Sequence, residues 1–130
     1  MENLDSVIRM SPVRVCPGTY CVAKVAGQTE DGNHFMITRD EEEVTVITHE
    51  ANIPRLEVSE VKGGFSLVEI KIATPFEGVG FLATVAGTIA DAGLNILVVS
   101  TFSRDYVLLK EEELEKGLEA LRARGFPIET

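Results

Sequence analysis

The alternation of apolar and polar positions predicts a strand, a helix and a second strand in the second half of the chain. From Phe65 to Ala73 apolar and polar side chains alternate with the two-residue period of a half-buried strand. From Gly80 onward the apolar residues recur at helical spacing, and Gly93 is placed to end the helix. The run from Ile96 to Phe102 is almost continuously apolar, which predicts a strand buried on both faces or at the centre of a sheet.

Three further elements complete this half of the chain. Tyr106-Val-Leu-Leu109 is predicted to be a short strand across the Ser103-Arg-Asp105 turn. The segment from Glu111 to Arg124 places leucines on one stripe, with acidic residues first and basic residues last, as the helix dipole favours. Gly125 is expected to cap this helix, and Phe126-Pro-Ile128 to form a closing edge strand. The resulting βαββαβ order predicts an α+β, ferredoxin-like fold with both helices on one face of the sheet.

The first half of the chain shows strand-like segments and no helical period. Tyr20 to Ala26 and Val44 to Thr48 are enriched in β-branched residues, and His34 to Thr38 is a shorter candidate strand. The pattern changes near Lys62-Gly63-Gly64. We therefore predict a division into residues 1–62, a helix-poor half, and residues 63–130, the βαββαβ half.

Composition narrows the classes of partner. The chain has 130 residues, 45% of them hydrophobic, which is enough to build a core. The formal net charge of −9 argues against nucleic acid and anionic membrane surfaces as partners, because both repel an acidic protein. Met1-Glu-Asn-Leu-Asp5 shows neither a basic start nor an apolar core, so we expect no secretory signal, no transmembrane span and a cytoplasmic location.

The sequence offers little basis for catalysis, a metal or a cofactor. It contains no nucleophile elbow, no phosphate loop with lysine and no evident Ser/His/Asp or Cys/His set. Cys16 and Cys21 flank Pro17-Gly18 and are expected to be reduced structural thiols. The acidic runs at 40–43 and 111–115 lack the loop spacing of a calcium site. We therefore expect a protein that is not an enzyme and holds no metal and no cofactor.

Three pieces of the second half resemble an ACT domain, a small regulatory module of amino-acid metabolism. They are the glycine turn before the first helix, the approach Ala92-Gly-Leu-Asn-Ile96, and the turn Ser100-Thr-Phe-x-x-Asp-Tyr106. Met10-Ser-Pro12, Tyr20 and Phe35 to Val46 resemble the degenerate first half of stand-alone tandem ACT proteins. Relatives of that group include cytosolic arginine sensors and the regulatory domains of aspartate kinases. The resemblance implies two ACT-like halves, a regulatory role, an amino acid or similar metabolite held between ACT modules, and a homo-oligomer, with a dimer expected.

The resemblance also implies which residues bind the ligand. They belong to the turn before the first helix and to the end of the second strand: Gly78, Val79, Gly80, Phe81 and Leu82, with Thr101, Phe102 and Asp105. Free N–H groups at a helix start favour a carboxylate, and glycine lets a ligand approach the backbone closely. Asp105 is expected to accept hydrogen bonds from an ammonium or guanidinium group.

Each of these residues has a structural alternative. The glycines alone permit a tight turn, Asp105 is a common turn residue, and Phe81 and Phe102 suit core packing. Arg104 precedes Asp105, and a pair between them would remove the preference for a basic ligand. The alternative function is a protein–protein interaction or oligomerisation module without a ligand. Under either function we expect self-association through the edge at Ile96 to Thr101 or the helix that begins at Gly80.

Overall fold

The computed structural model describes residues 3–26, 33–73 and 79–129, and the chain divides into two compact units. The terminal unit comprises Met1–Pro17 and Ser66–Thr130, and the central unit comprises Gly18–Phe65. One long strand, β5 (Val58–Ile70), contributes residues to both units, and the division predicted between residues 62 and 63 falls within it. None of the helices in the described ranges is long and apolar enough to cross a membrane.

The terminal unit combines helices with strands. Its elements are α1 (Leu4–Arg9), β1 (Val13–Val15), the end of β5, α2 (Phe81–Asp91), β6 (Leu97–Ser100), β7 (Asp105–Lys110) and α3 (Leu114–Arg124). Strand β1 pairs antiparallel with the end of β5, so that Val13 lies opposite Ile70. Strand β7 lies between β5 and β6, and β6 pairs antiparallel with β7. This arrangement confirms the predicted α+β class.

Glycines and a capping side chain set the helix ends. The Asn3 side chain accepts a hydrogen bond from the backbone N–H of Ser6 at 2.8 Å and so caps α1. Gly80, at φ 84°, precedes α2. Gly93 and Gly125, with φ 80° and 123°, follow α2 and α3, which confirms the predicted helix stops. The sequence did not predict α1, because a six-residue helix shows too little of the helical period.

The core of the terminal unit lies between its helices and its strands. Fully buried members from different elements are Ile8, Val13, Val68, Ile70, Phe81, Val85, Ile89, Val107, Leu109, Leu121 and Phe126. The rings of Phe81 and Phe126 pack edge to face, with centroids 5.7 Å apart and an interplanar angle of 79°. Burying such a side chain stabilises the folded state by about 1.5–3 kcal/mol, so this pair fixes the start of α2 against the chain that follows α3.

Three local predictions were wrong. Strand β6 is the edge of its sheet and is not central, and Leu97 and Val98 are 39% and 37% exposed. The closing segment at 126–128 forms a single bridge, parallel, between Ile128 and Val13, and not a longer edge strand. The last α-helix begins at Leu114, because Glu111–Glu113 form a separate 3₁₀ turn. An apolar run in the sequence shows that a strand is hydrophobic, but it does not show whether another strand pairs with each of its edges.

The central unit is built mainly of strands. It contains β2 (Tyr20–Val25), β3 (Met36–Arg39), β4 (Val44–His49), a 3₁₀ helix (Glu50–Arg55) and the beginning of β5. The strands run antiparallel in the order β3-β4-β2-β5. Its buried cluster contains Ala23, Val25 and Val46. Within its described residues the 3₁₀ helix is the one helical element.

Candidate functional site

A cleft of about 230 Å³ lies in the terminal unit between the start of α2 and the turn that joins β6 to β7. Its lining residues come from three segments: Ile72 after β5, then Val79, Phe81 and Leu82 at the start of α2, and Ser100 to Asp105 in the turn. The volume is below that of most drug-binding pockets, which measure roughly 300–1,000 Å³. The cleft therefore suits a small molecule.

The first wall is created by the backbone at Gly80. Its left-handed conformation, φ 84° and ψ −2°, turns the chain into α2. The backbone N–H and the hydroxyl of Thr84 both donate to the Gly80 carbonyl, at 2.9 Å each. In any α-helix the first N–H groups have no intrahelical acceptor, and the helix dipole makes this end positive. The start of α2 thus presents polar backbone to the cleft beside an apolar wall.

The second wall is the tight turn between β6 and β7. Ser100 and Asp105 pair across the end of the hairpin, and the Ser100 hydroxyl donates to Asp105 Oδ1 at 2.7 Å. Thr101 closes the turn, because its backbone N–H donates to the Arg104 carbonyl at 2.8 Å. These bonds hold the Asp105 carboxylate at the edge of the cleft, and its second oxygen accepts no hydrogen bond from the described residues.

The structure brings most of the predicted site residues together. Those that line the cleft are Val79, Phe81, Leu82, Thr101, Phe102 and Asp105. Gly80 is the N-cap of α2 and lies between two lining residues, while Gly78 lies outside the described residues. Phe81 is 1% exposed and also belongs to the core, whereas Phe102 is 81% exposed. The core-packing alternative therefore holds for Phe81 and is wrong for Phe102.

One residue of the cleft wall, Arg104, belongs to an ion-pair cluster that sequence reasoning did not assemble. Arg104 lies on the cleft wall, and its Nε is 3.4 Å from Glu69 Oε2 in β5. Arg14 Nε lies 3.2 Å from the other oxygen of Glu69, and the Tyr106 hydroxyl donates to Glu69 Oε2 at 3.1 Å. Among the described residues Arg104 and Asp105 form no ion pair with each other, because Arg104 pairs with Glu69. The four residues come from β1, β5, β7 and the turn, so only the fold reveals the cluster.

The cluster changes the protonation of its members. Burial by itself would raise the pKa of the Glu69 carboxyl, but hydrogen bonds from Arg14 and Tyr106 and the charges of both arginines outweigh burial and lower that pKa. Burial and the hydrogen bond to Glu69 together raise the pKa of Tyr106. Glu69 is therefore an anion at neutral pH and attracts the Arg104 guanidinium.

Other parts of the described structure offer weaker sites. A groove of about 380 Å³ in the central unit is lined by strand residues such as Val22, Lys24, Thr45 and Lys62. It includes the exposed pair Lys24 and Glu43, whose charged atoms lie 3.9 Å apart. Among the described residues, no group of three or more His, Cys, Asp or Glu side chains is placed to hold a metal ion.

A protein-family match covers the part of the chain that contains the cleft. The family model described as an ACT domain matches residues 60–123, a range that includes every residue lining the cleft. No curated protein matches the chain.

Solved structures share the fold over nearly the whole chain. A protein from Agrobacterium tumefaciens is 27% identical over 92% of both chains, with a TM-score of 0.79. A protein of unknown function from Vibrio cholerae, described as a possible transport protein, is 22% identical over 94% of this chain and 95% of its own, with a TM-score of 0.78. The ligand-free regulatory subunit of aspartate kinase from Thermus thermophilus is 12% identical over 86% of this chain and 96% of its own, with a TM-score of 0.64. The fold is thus the α+β fold of the ACT domain, and residues 60–123 match that family.

Proposed function

We propose that this protein is a non-catalytic regulatory protein that binds an amino acid or a similar small metabolite in the cleft of the terminal unit. The observation that carries the proposal is the cleft itself, because it joins polar backbone at the start of α2, the Asp105 carboxylate and apolar walls in one small volume. This combination matches a zwitterion with an apolar or mixed side chain. In this proposal Asp105 accepts hydrogen bonds from the ligand's ammonium group.

The regulatory part of the proposal draws on the comparisons. The matched ACT range contains the cleft, and one structure with the same fold is the regulatory subunit of an aspartate kinase. Among the described residues that line the cleft there is no histidine, cysteine or lysine, so the Ser100 hydroxyl, which donates to Asp105, has no histidine beside it to act as a general base. Binding without turnover is the function that such a set of groups supports.

We further propose that the protein forms a homodimer through β6. This edge strand, Leu97–Ser100, contains no charged residue and no proline, the usual protections of an exposed edge. Leu97 and Val98 are partly exposed on it, and β6 leads directly into the cleft-lining turn. Antiparallel pairing with β6 of a second copy would cover the edge. Val98→Lys should shift the purified protein from dimer to monomer in light scattering after gel filtration, and an unchanged mass would refute this interface.

A thermal-shift screen tests the binding proposal. The twenty amino acids and common metabolites are added in turn to the purified protein. A ligand present at about 100 times its dissociation constant stabilises the folded state by roughly 2.7 kcal/mol, which is a shift of several degrees for a protein of this size.

The variant Asp105→Asn tests whether a compound found in the screen binds at the Asp105 carboxylate. Because Asp105 is the first residue of β7 and is only partly buried, Asp105→Asn should leave the melting temperature of the free protein within about two degrees, while the affinity for an ammonium-bearing hit falls. A protein that no compound stabilises, but whose dimer persists, would instead support the alternative of an interaction module without a ligand.

A further inference from the structure

We propose that Arg104, held in place by Glu69, binds the carboxylate of the ligand, and that the ligand is a small monocarboxylate with an apolar chain. The inference rests on the proposed function and deepens it by naming the group on the ligand that is recognised most strongly. It also predicts that basic ligands such as arginine and lysine are rejected.

The position of the guanidinium carries the first step. Arg104 lines the cleft, and its Nε is buried at an ion-pair distance of 3.4 Å from Glu69, without hydrogen-bond geometry. Its terminal nitrogens have no hydrogen-bond or ion-pair partner within the described ranges. A guanidinium offers donors in a planar fork that fits a carboxylate. One edge of Arg104 is thus anchored by Glu69, and the outer edge is available to an anion.

Charge decides how many negative charges the ligand carries. Glu69 is shared between Arg14 and Arg104, so these three residues together carry one net positive charge. Asp105 adds a negative charge at the edge of the same cleft. With Asp105 included the four side chains sum to zero, so a single carboxylate opposite Arg104 with an ammonium opposite Asp105 leaves the cleft neutral, whereas a phosphate would bring additional negative charge beside Asp105.

The apolar wall of the cleft determines which side chain the ligand can carry. Ile72, Phe81 and Leu82 line the cleft with aliphatic and aromatic surface. A charged side chain placed against this surface would lose hydration without a partner, which is unfavourable, while an apolar chain gains from burial. The small volume of the cleft, about 230 Å³, limits the chain to a few carbon atoms or one ring.

Matched probes separate the carboxylate from the ammonium. Calorimetry compares L-alanine, L-valine, L-leucine, L-methionine and L-phenylalanine with the acids that lack the ammonium and the amines that lack the carboxylate. For leucine these are 4-methylpentanoate and 3-methylbutylamine. We expect the tightest amino acid to lose less affinity on removal of the ammonium than on removal of the carboxylate, and L-lysine and L-arginine to bind more weakly than it. An amine that binds more tightly than its matched acid would overturn the inference.

Variants assign the recognition to Arg104. Arg104→Gln should weaken the tightest carboxylate roughly 10- to 100-fold, the range for hydrogen bonds to charged groups. Arg122→Gln is the matched control, because Arg122 belongs to another ion pair of the same unit, with Glu119, and does not line the cleft. An Arg104→Gln protein with the affinity of the control would also overturn the inference.

A double-mutant cycle tests Glu69 as a positioning residue. Glu69→Gln should lower the affinity of the acid more than that of the amine, whereas Glu119→Gln should change neither. In the Arg104→Gln background, Glu69→Gln should add little further loss, because its effect acts through the arginine. Equal losses in both backgrounds would show a purely structural role and refute the positioning.

The outcomes distinguish this inference from the proposed function. If amines bind more tightly than their matched acids, or basic amino acids bind more tightly than apolar ones, the inference is wrong while the binding function stands. If no compound of the panel or of the wider metabolite screen binds, the proposed function fails and the inference fails with it.

Discussion

The two units contain similar antiparallel strands but differ in what accompanies them. In the terminal unit, α2 and α3 contribute Phe81, Ile89 and Leu121 to a large buried cluster. In the central unit the buried cluster contains Ala23, Val25 and Val46, and the described helical element is a 3₁₀ helix. The cleft of the terminal unit depends on the start of an α-helix, α2. The described part of the central unit contains a 3₁₀ helix and no α-helix.

The groove of the central unit illustrates the same point. It is larger than the terminal cleft, about 380 Å³ against about 230 Å³, yet it is lined by strand residues whose backbone groups pair within the sheet. Its charged residues include the pair of Lys24 with Glu43. Volume alone therefore does not identify the binding site, and the available polar groups favour the terminal unit.

The largest expected effect is a loss of stability when a core side chain is truncated, and it should differ between the two units. Phe126→Ala removes a fully buried ring that packs on Phe81, so it should reduce the free energy of unfolding by about 3–5 kcal/mol. Val46→Ala in the central unit should cost about 2 kcal/mol, because it removes fewer buried atoms. Chemical denaturation measures both.

Phe102→Ala is the control for this pair, since an 81% exposed ring should contribute about 0.5 kcal/mol or less to stability. A Phe126→Ala protein no less stable than Val46→Ala would contradict the assignment of the larger core to the terminal unit.

The next largest loss of stability is expected when alanine replaces either of two glycines with positive φ, Gly18 or Gly80. Gly18 of the central unit has φ 95°, and an added Cβ would lie 2.7 Å from His49 Nδ1, whose ring packs on Tyr20 with centroids 4.2 Å apart. Gly18→Ala should therefore cost about 1–2 kcal/mol for the backbone and about 1 kcal/mol more for the displaced aromatic contact. Adding His49→Ala should remove the second part.

Gly80→Ala in the terminal unit should reduce the free energy of unfolding less than Gly18→Ala does. The nearest atom to an added Cβ is Leu4 Cδ2 at 3.8 Å, so Gly80→Ala meets only the backbone strain of φ 84°, about 1–2 kcal/mol. Gly87→Ala, within α2 and with open space around its Cβ, should stabilise the protein by about 0.5–1 kcal/mol. A larger loss at Gly80 than at Gly18 in thermal or urea denaturation would refute this ranking.

The smallest effect is a pH dependence. The pKa of Glu69 is lowered in the folded protein, so its ionised form adds stability above the unfolded pKa of about 4.3, and this contribution disappears as the pH falls through the folded pKa. The stability difference between the wild type and Glu69→Gln should be about 1 kcal/mol or less at neutral pH and should shrink below pH ~4.3.

Asp40 is the counterpart in the central unit. Backbone N–H groups of Glu42 and Glu43 donate to its carboxylate and lower its pKa, but the side chain is fully exposed. Asp40→Asn should therefore show a weaker dependence in the same direction, at slightly lower pH. Urea denaturation between pH 3 and pH 7 measures both, and a Glu69→Gln difference that grows on acidification would contradict the ion-pair cluster.

Much of the terminal unit could be predicted from the sequence, because its signals are local. The spacing of Phe81, Val85 and Ile89 predicted α2, and Gly93 predicted its end. The edge position of β6 could not be predicted, since an apolar strand looks the same at the centre of a sheet. Helix α1 was missed because it is short.

The site was predictable only in part for the same reason. The helix start and the hairpin turn are local features, and most residues named from them line one cleft. The pairing of Arg104 with Glu69 joins residues far apart in the chain, and Arg14 is more distant still. The alternation of Glu69 with apolar neighbours was the one available signal, and it marked Glu69 as a polar-face residue without naming its partner.

The measurement that tests the central claim most directly is a ¹H–¹⁵N chemical-shift titration of the whole protein with the tightest compound from the thermal-shift screen. We predict that the largest changes occur at backbone amides of the terminal cleft, from Val79 to Leu82 and from Ser100 to Asp105, while Val22 to Lys24 and Glu60 to Lys62 of the central groove change little. Changes concentrated in the central groove, or a saturable hit that leaves the cleft amides unmoved, would contradict the assignment of ligand binding to the helix-bearing unit.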